Sequence, residues 1–155
     1  MRSGPAQGSR LLALTCLAAV LAGCSGRADP RLVPDELAAR AQAVCVRAAE
    51  AVAGLDPVDL RDGEAAALGV RDVVEVQREA LDDLLLLPPP GELEDDYARW
   101  LDLVGDALAQ AEALAVALET GDVTAAEDAS ARAGDLSEDA DRVARELGLD
   151  ACVAG

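Results

Sequence analysis

Lysine, histidine, asparagine, isoleucine and phenylalanine are missing from this 155-residue chain, and Tyr97, Trp100 and Met1 are single occurrences. Without histidine there is no imidazole base and no ordinary set of transition-metal ligands. A Ser-His-Asp triad cannot assemble, and no Gly-rich phosphate loop occurs. The missing types are largely those with AT-rich codons, so the bias reads as a GC-rich genome rather than as a functional signal. Positive charge is scarce as well: 13 arginines face 30 acids, a net charge of −17. A surface so negative repels nucleic acid and anionic lipid headgroups, so neither is expected as a direct partner. No stretch alternates with period two over a useful length, so no sheet is expected.

What is present begins with the N-terminus. Residues 1–10 carry Arg2 and Arg10 and no acid, and residues 11–22 are an apolar run interrupted mildly by Thr15 and Cys16. The run suits the core of an export signal and falls short of the roughly 20 residues a membrane-spanning helix needs. Leu21-Ala22-Gly23-Cys24 closes it and resembles a bacterial lipobox, in which small residues precede a cysteine that is acylated. The resemblance implies removal of residues 1–23 and a lipid anchor on Cys24; cleavage as an ordinary signal near Ala22 is the alternative. Two or three acyl chains hold a protein firmly to a bilayer, since each buried methylene contributes about 0.8 kcal/mol. Losing residues 1–23 would remove two arginines and no acid, moving the net charge from −17 to −19. Residues 24–33 read as a lipidated tether. The nine residues after Cys24 span at most about 30 Å.

Residues 34–155 read as one acidic domain of four amphipathic helices. Pro34 suits the first position of helix one, with Asp35 and Glu36 favourable in the first turn. Leu37, Ala41, Val44, Cys45, Ala48 and Val52 mark its inner face, and Gly54 with Asp56-Pro57 ends it. A second helix is expected over about 64–87, with Val70, Val73, Val74, Gln77, Ala80, Leu81 and Leu84 inward. Gly69 weakens its start, and the all-round apolar stretch 84–87 implies cover on both sides. Pro88-Pro89-Pro90-Gly91 must break the helix, because proline supplies no donor and restricts its predecessor. The third helix, about 92–119, starts in an acidic cluster that its dipole favours. Its stripe runs Leu93, Tyr97, Trp100, Leu101, Val104, Leu108, Ala111, Leu114, Ala115 and Leu118. Thr120-Gly121-Asp122 is a turn with Gly121 left-handed and Asp122 an N-cap. The fourth helix, about 123–147, turns Ala125, Ala129, Ala133, Leu136, Ala140, Val143 and Leu147 inward, with a possible bend site at Gly134 and a cap at Gly148. Four such helices with short connections define an all-α, antiparallel four-helix bundle.

Cys45 lies on the inner face of helix one and Cys152 just beyond helix four, neighbours in an antiparallel bundle. A structural disulfide suits an exported chain and a core rich in alanine; a redox pair or two free thiols are the alternatives, though redox pairs usually sit close in sequence. The acids Asp135, Glu138, Asp139 and Asp141, like those at 92–96, read as solvated faces tempered by pairs such as Glu138–Arg142 and Asp141–Arg145. Calcium or magnesium is the competing reading, but no metal ligands and no cofactor are assigned. Tyr97 and Trp100 either fill the core between alanines or form a candidate surface for a partner or ligand. No carboxylate pair stands apart from the general acidity, so no catalytic residues are assigned and the chain reads as a non-enzyme.

The Leu-Ala-Gly-Cys leader, a cysteine in the first mature helix, the Thr-Gly-Asp turn at 120–122 and the closing Ala-Arg-Glu-Leu-Gly-Leu-Asp-Ala-Cys at 144–152 together resemble small actinobacterial helical lipoproteins. That resemblance implies an extracytoplasmic location at the outer face of the plasma membrane and a bond between Cys45 and Cys152. The group has no assigned activity, so no site residues carry over. The resulting expectation is a lipid-anchored, non-catalytic interaction or sensing module whose partner is another envelope protein. The alternative is an envelope carrier of a small ligand or cation, with its cavity inside the alanine-lined bundle.

Overall fold

The computed structural model describes residues 31–59 and 61–153. Cys24, the Leu21-Ala22-Gly23-Cys24 motif and the stretch expected to be a leader lie outside the described residues. Within them the chain forms four α-helices and no strand: α1 Pro34–Ala53, α2 Gly63–Leu85, α3 Glu94–Thr120 and α4 Val123–Glu146. Short 3₁₀ turns, Gly91–Leu93 and Asp150–Cys152, precede α3 and follow α4. The architecture is the antiparallel four-helix bundle that the hydrophobic spacing predicts.

The ends of the helices are set by local chemistry. Asp62 accepts from the amides of Glu64 and Ala65 and so caps α2, and Asp122 accepts from Ala125 N–H to cap α4. Gly121 ends α3 at φ 71°, where a Cβ would be strained. Gly134 does not break α4, which runs unbroken from Val123 to Glu146. A methyl there would meet nothing within 4 Å. Gly134→Ala should therefore raise stability by about 1 kcal/mol through helix propensity, read as a higher melting temperature; a lower one would show that the glycine serves packing.

The main core gathers Leu32, Leu37, Ala41 and Val44 with Leu84, Tyr97, Trp100, Leu101, Ala140, Val143, Ala144 and Leu149. Leu32 belongs to the folded domain rather than to the tether: it is buried, and its N–H donates to the Pro88 carbonyl at 2.9 Å. The stretch 84–87 is covered on one side, not two. Leu84 is 3% exposed while Leu85 and Leu86 are 59% and 79% exposed. Ion pairs Arg71–Glu119 and Arg78–Glu112 join α2 to α3, and Arg47–Asp83 joins α1 to α2. All are largely exposed, so each contributes at most about 1 kcal/mol and serves mainly to fix register.

One departure from a regular bundle positions the site. With 20 residues, α1 is about 30 Å long, against about 40 Å for the 27 residues of α3. Its buried residues, Leu37, Ala41 and Val44, all lie in its first three turns. Beyond them α1 packs on α2 and on the turn Asp150–Cys152, with little direct contact to α4. The Cys45–Cys152 disulfide bridges that gap across a sequence separation of 107, so the C-terminal segment stands between the two helices that the sequence places side by side.

Candidate binding cavity

Where α1 falls short, a cavity of about 490 Å³ opens between α2, α3 and α4. That is well inside the roughly 300–1,000 Å³ of small-molecule sites. Among the described residues none of α1 lines it. Val70, Val73 and Val74 of α2, Val104, Leu108 and Ala111 of α3, and Ala133 and Ala140 of α4 form its walls. These come from one stripe on each helix, at spacings of three and four. Small alanine side chains on α4 leave the space that larger residues would fill. Trp100 and Cys152 also border the cavity, and Val58 of the α1–α2 connection lies at its lip.

Val58 reaches the lip because Gly69 has no side chain. A Cβ on residue 69 would lie 2.5 Å from Val58 Cγ2, so the glycine that weakens the start of α2 allows the connection to lie directly on that helix. The polar lining is sparse: Gln77 of α2, and Ser137 with Asp141 on α4. Ser137 and Asp141 are four apart and share one helix face. The Asp141 side chain is 15% exposed and lies 3.7 Å from Arg145, which is 56% exposed. Neighbouring acids on α4 face solvent, and Arg142 pairs with Asp139 rather than with Glu138. Asp141 is the one lining side chain that carries charge.

Tyr97 and Trp100 do not form a surface. Both are 2% exposed, with ring centroids 5.6 Å apart and planes tilted by 46°, a favourable aromatic arrangement. Alanine-rich packing leaves room for the only two large rings, which fill it. The structure separates their roles: Tyr97 is structural, whereas Trp100 contributes a wall to the cavity. Tyr97 donates its hydroxyl to the Leu84 carbonyl at 3.0 Å, satisfying an acceptor in the last turn of α2. Burial pushes the Tyr97 phenol up from 10.0 to about 12.

This shift has a sign that can be tested. The folded form holds the Tyr97 proton that the unfolded chain loses near pH 10, so full stability holds below pH 10. It should fall by about 2–3 kcal/mol as pH rises to 12. With no lysine in the chain, no ammonium titrates in the same window. Urea midpoints between pH 9 and 12 should drop for the wild type and stay level for Tyr97→Phe.

Among the described residues no three acid or cysteine side chains converge to hold a metal ion. The cavity also lacks a second carboxylate, the minimum for paired acid–base hydrolysis. Cys45 and Cys152 are bonded to each other and present no thiol. No described helix is long and apolar enough to cross a membrane. No protein-family model, curated protein or solved structure matches the chain. The arrangement is a half-open apolar cleft bordered by one carboxylate, one hydroxyl and one carboxamide.

Proposed function

We propose that this chain is a lipid-anchored, extracytoplasmic helical module, held at the outer face of the plasma membrane through Cys24, that binds a small apolar molecule without transforming it. The observation that carries the binding role is the apolar cavity of about 490 Å³ walled by Trp100. Anchoring is supported by the charge, length and position of the leader and its Leu-Ala-Gly-Cys motif, and by the resemblance to actinobacterial helical lipoproteins. A partner surface built on Tyr97 and Trp100 would need them exposed, and they are buried.

Two experiments test the proposal. Labelled fatty acid should enter the protein at Cys24, and Cys24→Ala should release it from membranes; a Cys24→Ala protein that stays bound overturns the anchor. Trp100 is the single tryptophan, so emission has one source, a ring that borders the cavity as well as the core. Titrating the domain with n-decanol should shift that emission saturably, and Ala133→Leu, which puts a larger side chain into the wall, should weaken the binding. No saturable shift with decanol or its charged analogues overturns the binding role. Exposed Leu85 and Leu86 favour contact with another envelope protein as a second reading, which Leu86→Glu should weaken in a membrane crosslinking assay.

A further inference from the structure

Resting on the anchor at Cys24, we infer that the bundle stands on the membrane by one end, dipping Val33, Leu85 and Leu86 into the outer interface of the bilayer. These side chains are 61%, 59% and 79% exposed. A lone exposed apolar residue needs no explanation, but consecutive leucines at the end of a helix form a patch that does. The patch is also free of charge: residues 84–91 carry none, in a chain that is 28% charged. Leu84 is buried and Leu87 packs against the core, so the bundle covers one side of this stretch and leaves the other bare. A hydrocarbon surface supplies the missing cover.

The place where the chain enters the fold selects lipid as the occupant. Leu32 N–H donates to the Pro88 carbonyl at 2.9 Å, and Arg31 pairs with Glu94 at 3.3 Å. A Cβ on Gly91 would lie 3.1 Å from the Arg31 guanidinium. The N-terminal segment thus joins the domain at the turn that follows Leu86. Arg31 comes seven residues after Cys24, a reach of at most about 25 Å. Acyl chains on Cys24 would hold this end beside the bilayer and make its contact with lipid an intramolecular event. Val116 and Val123 are exposed at the opposite end, but α3 sets them about 40 Å away, beyond that reach. Burying leucine side chains in hydrocarbon is favourable and adds a second hold to that of the acyl chains. Asp82, Asp83 and Glu92 flank the patch and are exposed, so it suits zwitterionic headgroups and is repelled by anionic ones. An envelope protein would have to enter between the domain and the bilayer, where lipid is already in place.

The test uses the full acylated chain in protein-free phosphatidylcholine vesicles whose acyl chains carry a nitroxide quencher. Leu86→Cys supplies one thiol for a nitrobenzoxadiazole label, because Cys45 and Cys152 are bonded to each other and anchoring consumes Cys24 and discards Cys16. Val123→Cys, at a site 68% exposed, carries the same label at the far end. The label at 86 should shift to the blue and lose most of its emission to the quencher, while the label at 123 keeps its own. Adding Leu85→Glu to the Leu86→Cys chain should abolish the quenching. A chain that sediments with the vesicles while neither label is quenched overturns this inference and leaves the anchor standing. Equal quenching at both positions overturns it as well, because the domain would then have no preferred end. A blue shift at 86 that occurs in native membranes but not in these vesicles assigns the patch to a protein partner and overturns the contact with lipid. A full chain that does not sediment with the vesicles overturns the anchor itself, and the inference falls with it.

Discussion

Cys152→Ser should lower the stability of the domain by about 4–5 kcal/mol, the chain-entropy value for a bond that closes 107 residues. For a domain of this size that is a fall in melting temperature of roughly 10–25 °C. The loss should be uneven. α3 packs on both α2 and α4 through long stripes, whereas α1 is held by α2 and by the C-terminal turn. Cutting the bond detaches that turn, so amide exchange should accelerate first in α1 and in residues 148–153. Differential scanning calorimetry with and without reductant measures the first effect, and hydrogen exchange by mass spectrometry the second. A melting temperature that ignores reductant would mean that Gln42, which donates to the Gly148 carbonyl, and the buried Leu149 suffice to hold the C-terminus.

Trp100→Ala should cost about 3–5 kcal/mol, the range for deleting a large aromatic from a core. Trp100 is 2% exposed, contacts Tyr97 and belongs to the cluster that joins α1 to α3 and α4. Because one side of the ring already borders the cavity, the deletion enlarges a space that water can enter instead of creating a sealed void. The cost should accordingly fall toward the lower end of that range, with Trp100→Phe recovering most of it. Urea midpoints decide between these outcomes. A loss below about 1 kcal/mol would contradict the burial of the ring in the core.

The helices were legible in the amino-acid order because punctuation and periodicity agree there. Pro34 and Gly54 bracket α1, three prolines follow α2, and Gly121-Asp122 turns α3 into α4. The disulfide was legible because Cys45 sits on an inner stripe and Cys152 just past the last helix. The cavity was not readable in detail. Its lining residues belong to the same stripes as the core residues, and periodicity cannot distinguish an inward side chain that meets a partner from one that faces a void. The decisive quantity is the shortfall of α1, visible as 20 residues against 27 but interpretable only once the helices are packed. Gly69 carried a partial signal: a glycine inside a helix points to close approach, yet nothing in the order of residues names Val58 as its neighbour. The same limit explains Tyr97 and Trp100. Their places on the α3 stripe pointed inward, and their rarity drew attention to them as a surface; packing decided for the stripe.

The long span between Cys45 and Cys152 also orders events in time. Contacts between α1 and α2, α2 and α3, and α3 and α4 join neighbours in sequence, which form fast, but the bond from α1 to the turn Asp150–Cys152 has to wait for Cys152. At about 5–20 residues per second of synthesis, some 107 residues separate the two cysteines by roughly 5–20 s. The disulfide of α1 is therefore the last of its ties to form, and Cys45 passes that interval as a thiol without its partner. On the reading proposed above, acylation of Cys24 and removal of Cys16 with the leader leave no other thiol in the chain to capture it. The anchoring chemistry would then protect the fidelity of oxidation as well as fixing the protein's address.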